Sequence, residues 1–417
     1  MKTSRTKILF TGFAPNLTGK HVLISLGFLF FPWLWGKLRK GKYTAQAEQQ
    51  LSTYLQSDVV LTDSGRSALY VALKALGVGE GDEVIVQAFT CIVVINAIKW
   101  TGATPVYVDI DESYNVHAEK IEQLITPKTK AIIAQHTFGT PANIREIQRI
   151  AKQHNIALVE DCAHALGVKT DGQMLGTFGD ISMFSFGSDK VVSCVRGGAI
   201  ATKNETTYKK CVELVEHLPH MPLMEVIRHL FHSIFFWIGK KIYKIKIGKM
   251  LLYTARKLRI SSSIIDACEK RGEKPVCYPA KLPNALARIL TIELSRVDAV
   301  NQHRKNIAKL YSAGLNNAHI SKPQHSDESI YLRYPVRVTR PNHFIAQAKK
   351  QNIILGDWYQ VIAAPKDADQ SRINYTKDSC PDAQRATQEI TNLPTNRHIS
   401  ERDAERIIQF CNNYVES

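Results

Sequence analysis

The chain has 417 residues, 44% hydrophobic and 22% charged, which gives enough apolar material for a large core and excludes a disordered chain. Its net charge of +16 is confined: residues 1–43 hold eight Lys and Arg and residues 226–265 hold nine, with no Asp or Glu in either. Outside them 37 bases face 38 acids, which argues against a nucleic-acid-binding surface.

The first basic segment contains "HVLISLGFLFFPWLWGKLRKGK", in which the 14 residues Val22 to Trp35 are uncharged and a basic cluster follows at once. That run is short of the ~20 residues a bilayer span needs. It also starts too far into the chain, and lacks the small-residue cleavage site, for a signal peptide. The second, "VIRHLFHSIFFWIGKKIYKIKIGKMLLYTARKLR", mixes aromatics, aliphatics and bases in the manner of an interfacial helix on anionic lipid. Two readings stay open for the pair: contact with a lipid surface through 22–40 and 226–259, or core and subunit interface.

Between these segments the apolar runs "DEVIVQAF", "TPVYVDID", "KAIIAQHTFG", "IALVEDCAHA" and "ISMFSF" read as strands. They alternate with the helix-like "NAIKW", "HAEKIEQLI" and "NIREIQRIAKQHN". The alternation implies an α/β fold with a mainly parallel sheet covered by helices. After residue 276 one long helical stretch (283–315), the strand-like "SIYLRYPVRVT" and a final helix suggest a smaller α+β domain. The expected division is a basic apolar N-terminal extension (1–43), a large ligand-binding domain (44–203), a basic hydrophobic insertion (204–275) and a small C-terminal domain (276–417). The eight cysteines include no CxxC pair, the scatter of a reduced cytosolic chain, and no metal site is expected.

In such sheets ligands bind beyond the carboxyl ends of the strands. Three features stand there. "DSGRSALYVALKALG" opens a helix at Ser64 and Gly65, whose N-terminal N–H groups, with Arg66 and Ser67, suit a phosphate. "LVEDCAHALG" places Asp161 and His164 at a strand end, and Lys190 follows "ISMFSF". Each alone reads as an ordinary cap or surface residue. Together they match the needs of pyridoxal phosphate: a phosphate cradle, a carboxylate for the pyridine nitrogen and an amine to condense with the aldehyde.

The ordered motifs resemble the DegT/StrS family of sugar aminotransferases, of the fold type I pyridoxal phosphate enzymes, over roughly residues 41–417. "DSGRSALYVAL" is similar to N-S-G-T-A-A-L, "HTFGTP" (His136, Gly139, Pro141) to H-x-x-G-x-P, and "VEDCAHALG" to E-D-x-A-Q/H. "GTFGDISMFSFGSDK" is similar to G-x-x-G-D-x-x-x-F-S-F-x-x-x-K, the most specific of the set.

The resemblance implies that Lys190 joins the cofactor and later shuttles a proton. It implies that Asp161 pairs with the pyridinium nitrogen, that His164 lies beside the cofactor, and that Ser185 with Gly65, Arg66 and Ser67 holds the phosphate. Gly197 and Gly198 would allow close backbone approach beside the cofactor. It further implies a keto-sugar substrate, an amino-acid donor, commonly glutamate, and a homodimer; the cysteine pattern sets the expected compartment as the cytoplasm.

Cys91 stands where the family stacks an aromatic ring on the cofactor, with Phe89 nearby. Arg196 replaces an acid, Pro279-Ala280-Lys281 replaces N-Y-R, and Trp358-Tyr359 replaces H-Y-P. These departures keep open an inactive binding or scaffold protein on the same fold. A dehydratase relative would carry histidine in place of the lysine.

Overall fold

The computed structural model describes residues 7–12, 14–243, 247–257, 260 and 265–415. Lys2, Arg5, Lys244, Lys246 and Arg259 of the basic segments lie outside the described residues.

Seven strands form the central sheet: β1 (Asp58–Thr62), β2 (Glu83–Gln87), β3 (Thr104–Val108), β4 (Thr129–Gln135), β5 (Ala157–Asp161), β6 (Ile181–Ser185) and β7 (Gly198–Thr202). Their order is β1-β7-β6-β5-β4-β2-β3. β6, β5, β4, β2 and β3 are mutually parallel, and β7 runs antiparallel to both β6 and β1. The expected mainly parallel α/β sheet is therefore present.

Because side chains alternate across a strand, neighbours serve opposite faces. Ile85 and Ile132 face a core shared with helices Tyr43–Leu55 and Asn284–Leu294, whereas Val84, Val86 and Ile133 face helices Gly65–Ala75 and Ile92–Trp100. Burial on both faces explains why these strands read as continuous apolar runs.

Two local expectations are corrected. "HAEKIEQLI" forms two short 3₁₀ turns, Ala118–Lys120 and Glu122–Leu124, since Pro127 closes a stretch too short to continue. The long stretch after Pro283 is two helices, Asn284–Leu294 and Val297–Gly314, separated at Ser295–Arg296.

The C-terminal region has its own core around Tyr311, Tyr334, Phe344 and Phe410. The strand Leu9–Phe10 joins that region by parallel pairing with Ile353–Ile354. Helix Gly19–Phe30 packs along helix Leu223–Lys241, which in turn packs on Ile247–Lys257, so the two basic segments meet in space. The last contact is close: a Cβ on Gly248 would lie 2.5 Å from the Gly239 carbonyl oxygen. None of the described helices is long and apolar enough to cross a membrane.

Candidate active site

The ends of β5 and β6 and the start of helix Gly65–Ala75 converge on one place. The helix begins with Ser64 as cap, its Oγ accepting the Ser67 N–H at 3.2 Å. It sits against the sheet because two glycines allow it. A Cβ on Gly65 would lie 2.7 Å from Ser185 Cβ and 3.0 Å from its Oγ, and one on Gly198 would lie 2.3 Å from the Ser64 carbonyl. Gly198 thus admits the close backbone approach expected of it, and the backbone it admits is that of the helix turn. Ser185 and the first-turn N–H groups are brought together as an anion cradle.

Lys190 lies in the loop after β6, its N–H donating to the Gly187 carbonyl at 3.1 Å. Burial holds its ammonium form back and lowers its pKa, with Arg333 adding to the effect while Asp161, Cys91 and Asp189 oppose it. Asp161 is buried and accepts the Ala163 N–H at 3.0 Å. Burial raises its pKa against that hydrogen bond and the pull of Lys190 and His136. A cation placed beside it would be welcome.

His164 accepts the Phe138 N–H at Nδ1 (3.2 Å), so its proton is on Nε2. That nitrogen is buried and has no partner among the described residues. Burial, Lys190 and Arg333 push the ring well below the usual histidine range, so it is a neutral donor. Gly139, at φ +80°, lets the backbone pass: a Cβ there would lie 2.8 Å from the His164 carbonyl oxygen.

Arg66 turns its guanidinium to the fully buried Glu269, so the cradle has the Arg66 backbone while the side chain is engaged elsewhere. Arg196 approaches Asp63 (Nε–Oδ2 3.8 Å) and, like Arg66, lies over the Tyr278 ring. Cys91 caps helix Ile92–Trp100 close to Lys190, and burial raises its thiol pKa. Phe89 is buried against Tyr114, Phe138 and Tyr359.

Sequence reasoning missed three participants. Arg333 pairs with Asp189 (3.5 Å), lies over the Trp358 ring, and is pushed down to about 10 by burial. Tyr359, noted only as a motif departure, is buried near Cys91, Arg333 and Asp161, and burial raises its phenol pKa. Asp189 also accepts the Ala14 N–H at 3.2 Å, so the N-terminal strand region straps the lysine loop. An isolated base in the apolar "YLRYP" was the available signal for Arg333.

His136, Glu160 and Cys162 cluster within 4.8 Å. His136 Nε2 lies 3.3 Å from Glu160, which also accepts N–H groups from Gly176, Phe178 and Gly179. The carboxylate is spent on holding the loop before β6. A surface cavity of about 670 Å³ lined by Lys20, Gln46, Arg288 and Arg296 includes none of the residues around Lys190.

The DegT/DnrJ/EryC1/StrS aminotransferase family model matches residues 35–234 and 249–411. The chain belongs to this family. GDP-perosamine synthase of Escherichia coli O157:H7 is 42% identical over 202 residues, which are 48% of this chain and 55% of that protein. A match to GDP-perosamine synthase of Vibrio cholerae, 29% identical, covers 66% of this chain and 63% of that protein, so the aligned stretches span about half to two thirds of these relatives. A dTDP-3-amino-3,6-dideoxy-alpha-D-galactopyranose transaminase of Aneurinibacillus thermoaerophilus is 29% identical over 354 residues, 84% of each chain. The fold is that of a putative sugar aminotransferase from Streptococcus pneumoniae in its PLP form, with TM-score 0.75, 24% identity and 98% of each chain covered.

The segment in place of N-Y-R is tied to Asp63. Asp63 donates its N–H to the Ala280 carbonyl (2.9 Å) and accepts the Ala280 N–H at Oδ1 (3.1 Å). The donor set fits pyridoxal phosphate: a helix start seated on the sheet through Gly65 and Gly198, a buried carboxylate seeking a cation, a buried and unpartnered N–H on His164 and a lysine held back from protonation.

Proposed function

We propose that this family member is a pyridoxal-phosphate-dependent transaminase that moves an amino group, with glutamate as donor, to a nucleotide- or lipid-linked keto-sugar in polysaccharide or glycoconjugate synthesis. The observation that carries the reading is the convergence of Lys190, Asp161 and His164 on the cradle at Ser64–Ser67 and Ser185. When bound, the cofactor supplies an electron sink for the substrate's α-carbon. Lys190, uncharged more readily than a solvated lysine, would hold the cofactor through its amine and, when that amine is free, would serve as the base that takes and returns the proton of the substrate's α-carbon. Asp161 would favour a protonated ring nitrogen, and the neutral His164 would offer its Nε2–H to the bound cofactor. The relatives' names support a sugar carried by a nucleotide.

The same reading makes the protein a cytoplasmic homodimer that touches the inner face of the membrane. The membrane contact is supported by the charge excess, all of which falls in two apolar segments; the dimer rests on the family resemblance.

Purified protein given glutamate and a nucleotide-linked keto-sugar should form 2-oxoglutarate and amino sugar in equal amounts. Lys190→Ala should lower the rate by about 10²-fold or more. A wild-type protein that retains the cofactor yet forms no 2-oxoglutarate would favour the scaffold reading.

A further inference from the structure

The two basic segments differ in what they expose. Phe231, Phe235, Phe236 and Trp237 of helix Leu223–Lys241 are half-buried, and among the described aromatics of that segment Tyr253 alone is strongly exposed. The turn that follows helix Gly19–Phe30 is different: Phe30 is 64% exposed, Trp33 71% and Trp35 55%, with Phe31 also exposed. Four exposed aromatics in six residues are followed by exposed Lys37, Arg39, Lys40 and Lys42.

The turn is built, not loose. Phe31 stacks on Trp33 at 4.8 Å, and the Leu34 and Leu38 N–H groups donate to the Phe31 and Trp35 carbonyls. Trp35 Nε1 donates to the Leu29 carbonyl. Leu38 is buried, and Asn284 ties down both sides of it, donating Nδ2–H to the Lys37 carbonyl and accepting the Tyr43 N–H. Polar groups satisfied within the turn leave its aromatic edge ready for an interface where water is scarce.

We propose that residues 30–42 are a membrane-insertion turn: Phe30, Phe31, Trp33 and Trp35 enter the headgroup layer of an anionic bilayer, and Lys37, Arg39, Lys40 and Lys42 meet its phosphates. This goes beyond general contact by both segments, since it assigns insertion to one turn, and it does not depend on the reaction catalysed. Charge selects lipid over the same turn of a second copy. The first acid of the chain is Glu48, which turns inward to accept the Leu61 N–H, so a two-fold contact through this turn would face four bases with four bases.

The test is cosedimentation of the full chain at low salt with vesicles of phosphatidylglycerol and phosphatidylcholine, and with phosphatidylcholine alone. Wild type should pellet with the anionic vesicles only, with a blue shift of tryptophan emission. Lys37→Ala/Arg39→Ala/Lys40→Ala should weaken binding about hundredfold, at about fivefold per base. Trp33→Ala/Trp35→Ala should also weaken it and abolish the blue shift, while both variants keep the wild-type melting temperature and oligomeric state. Wild type left in the supernatant would overturn the proposal. So would an unweakened Trp33→Ala/Trp35→Ala protein, or one whose oligomer falls apart, which would make the turn a subunit contact.

Discussion

Lys190 carries a stability signature that can be read without substrate. Burial lowers its pKa, so over a range of pH the unfolded chain binds a proton that the folded chain does not. Stability contributed by this residue therefore rises with pH: the penalty is full below the folded pKa and disappears above the unfolded value, near 10.4. Cofactor-free Lys190→Met should melt higher than cofactor-free wild type at pH 7, with the gap narrowing toward pH 10. A variant melting lower at pH 7 would contradict the placement of the amine. Lys190, Asp161, His164 and Ser185 were legible because each ends or follows an apolar strand of an ordered motif set. Arg333 and Tyr359 were not, since both arrive from more than 140 residues farther along the chain. Glu269 had no local signal at all, because only the fold reveals that it faces Arg66.

At the scale of elements, the cradle depends on a helix start touching two strand ends. Gly198→Ala would place a methyl group against the Ser64 carbonyl, which is backbone and cannot rotate away. We expect a loss of about 1–3 kcal/mol, read as a lower denaturation midpoint, together with weaker cofactor retention. Unchanged stability and retention would show that the helix start is not so closely seated. The parallel strands were legible as apolar runs, but β1 and β7 were not singled out. "DVVLT" and "GAIAT" are five residues each, and their antiparallel pairing depends on partners more than 130 residues apart. The 3₁₀ turns at 118–124 were misread because an apolar spacing that fits a helix says nothing about whether there is room to nucleate one.

For the whole molecule, composition located the charge excess but not its geometry. Only the fold brings residues 19–30 against 223–241 and distinguishes the four clustered, exposed aromatics of the first segment from the half-buried aromatics of helix Leu223–Lys241. The central claim is that one set of side chains holds a pyridoxal phosphate and uses it. Its most direct measurement is the visible absorption of purified protein with added pyridoxal phosphate, before and after glutamate, beside Lys190→Ala. Wild type should show a visible band that glutamate removes and that the variant lacks. A band in wild type that no amino donor alters, or one that persists in Lys190→Ala, would contradict it.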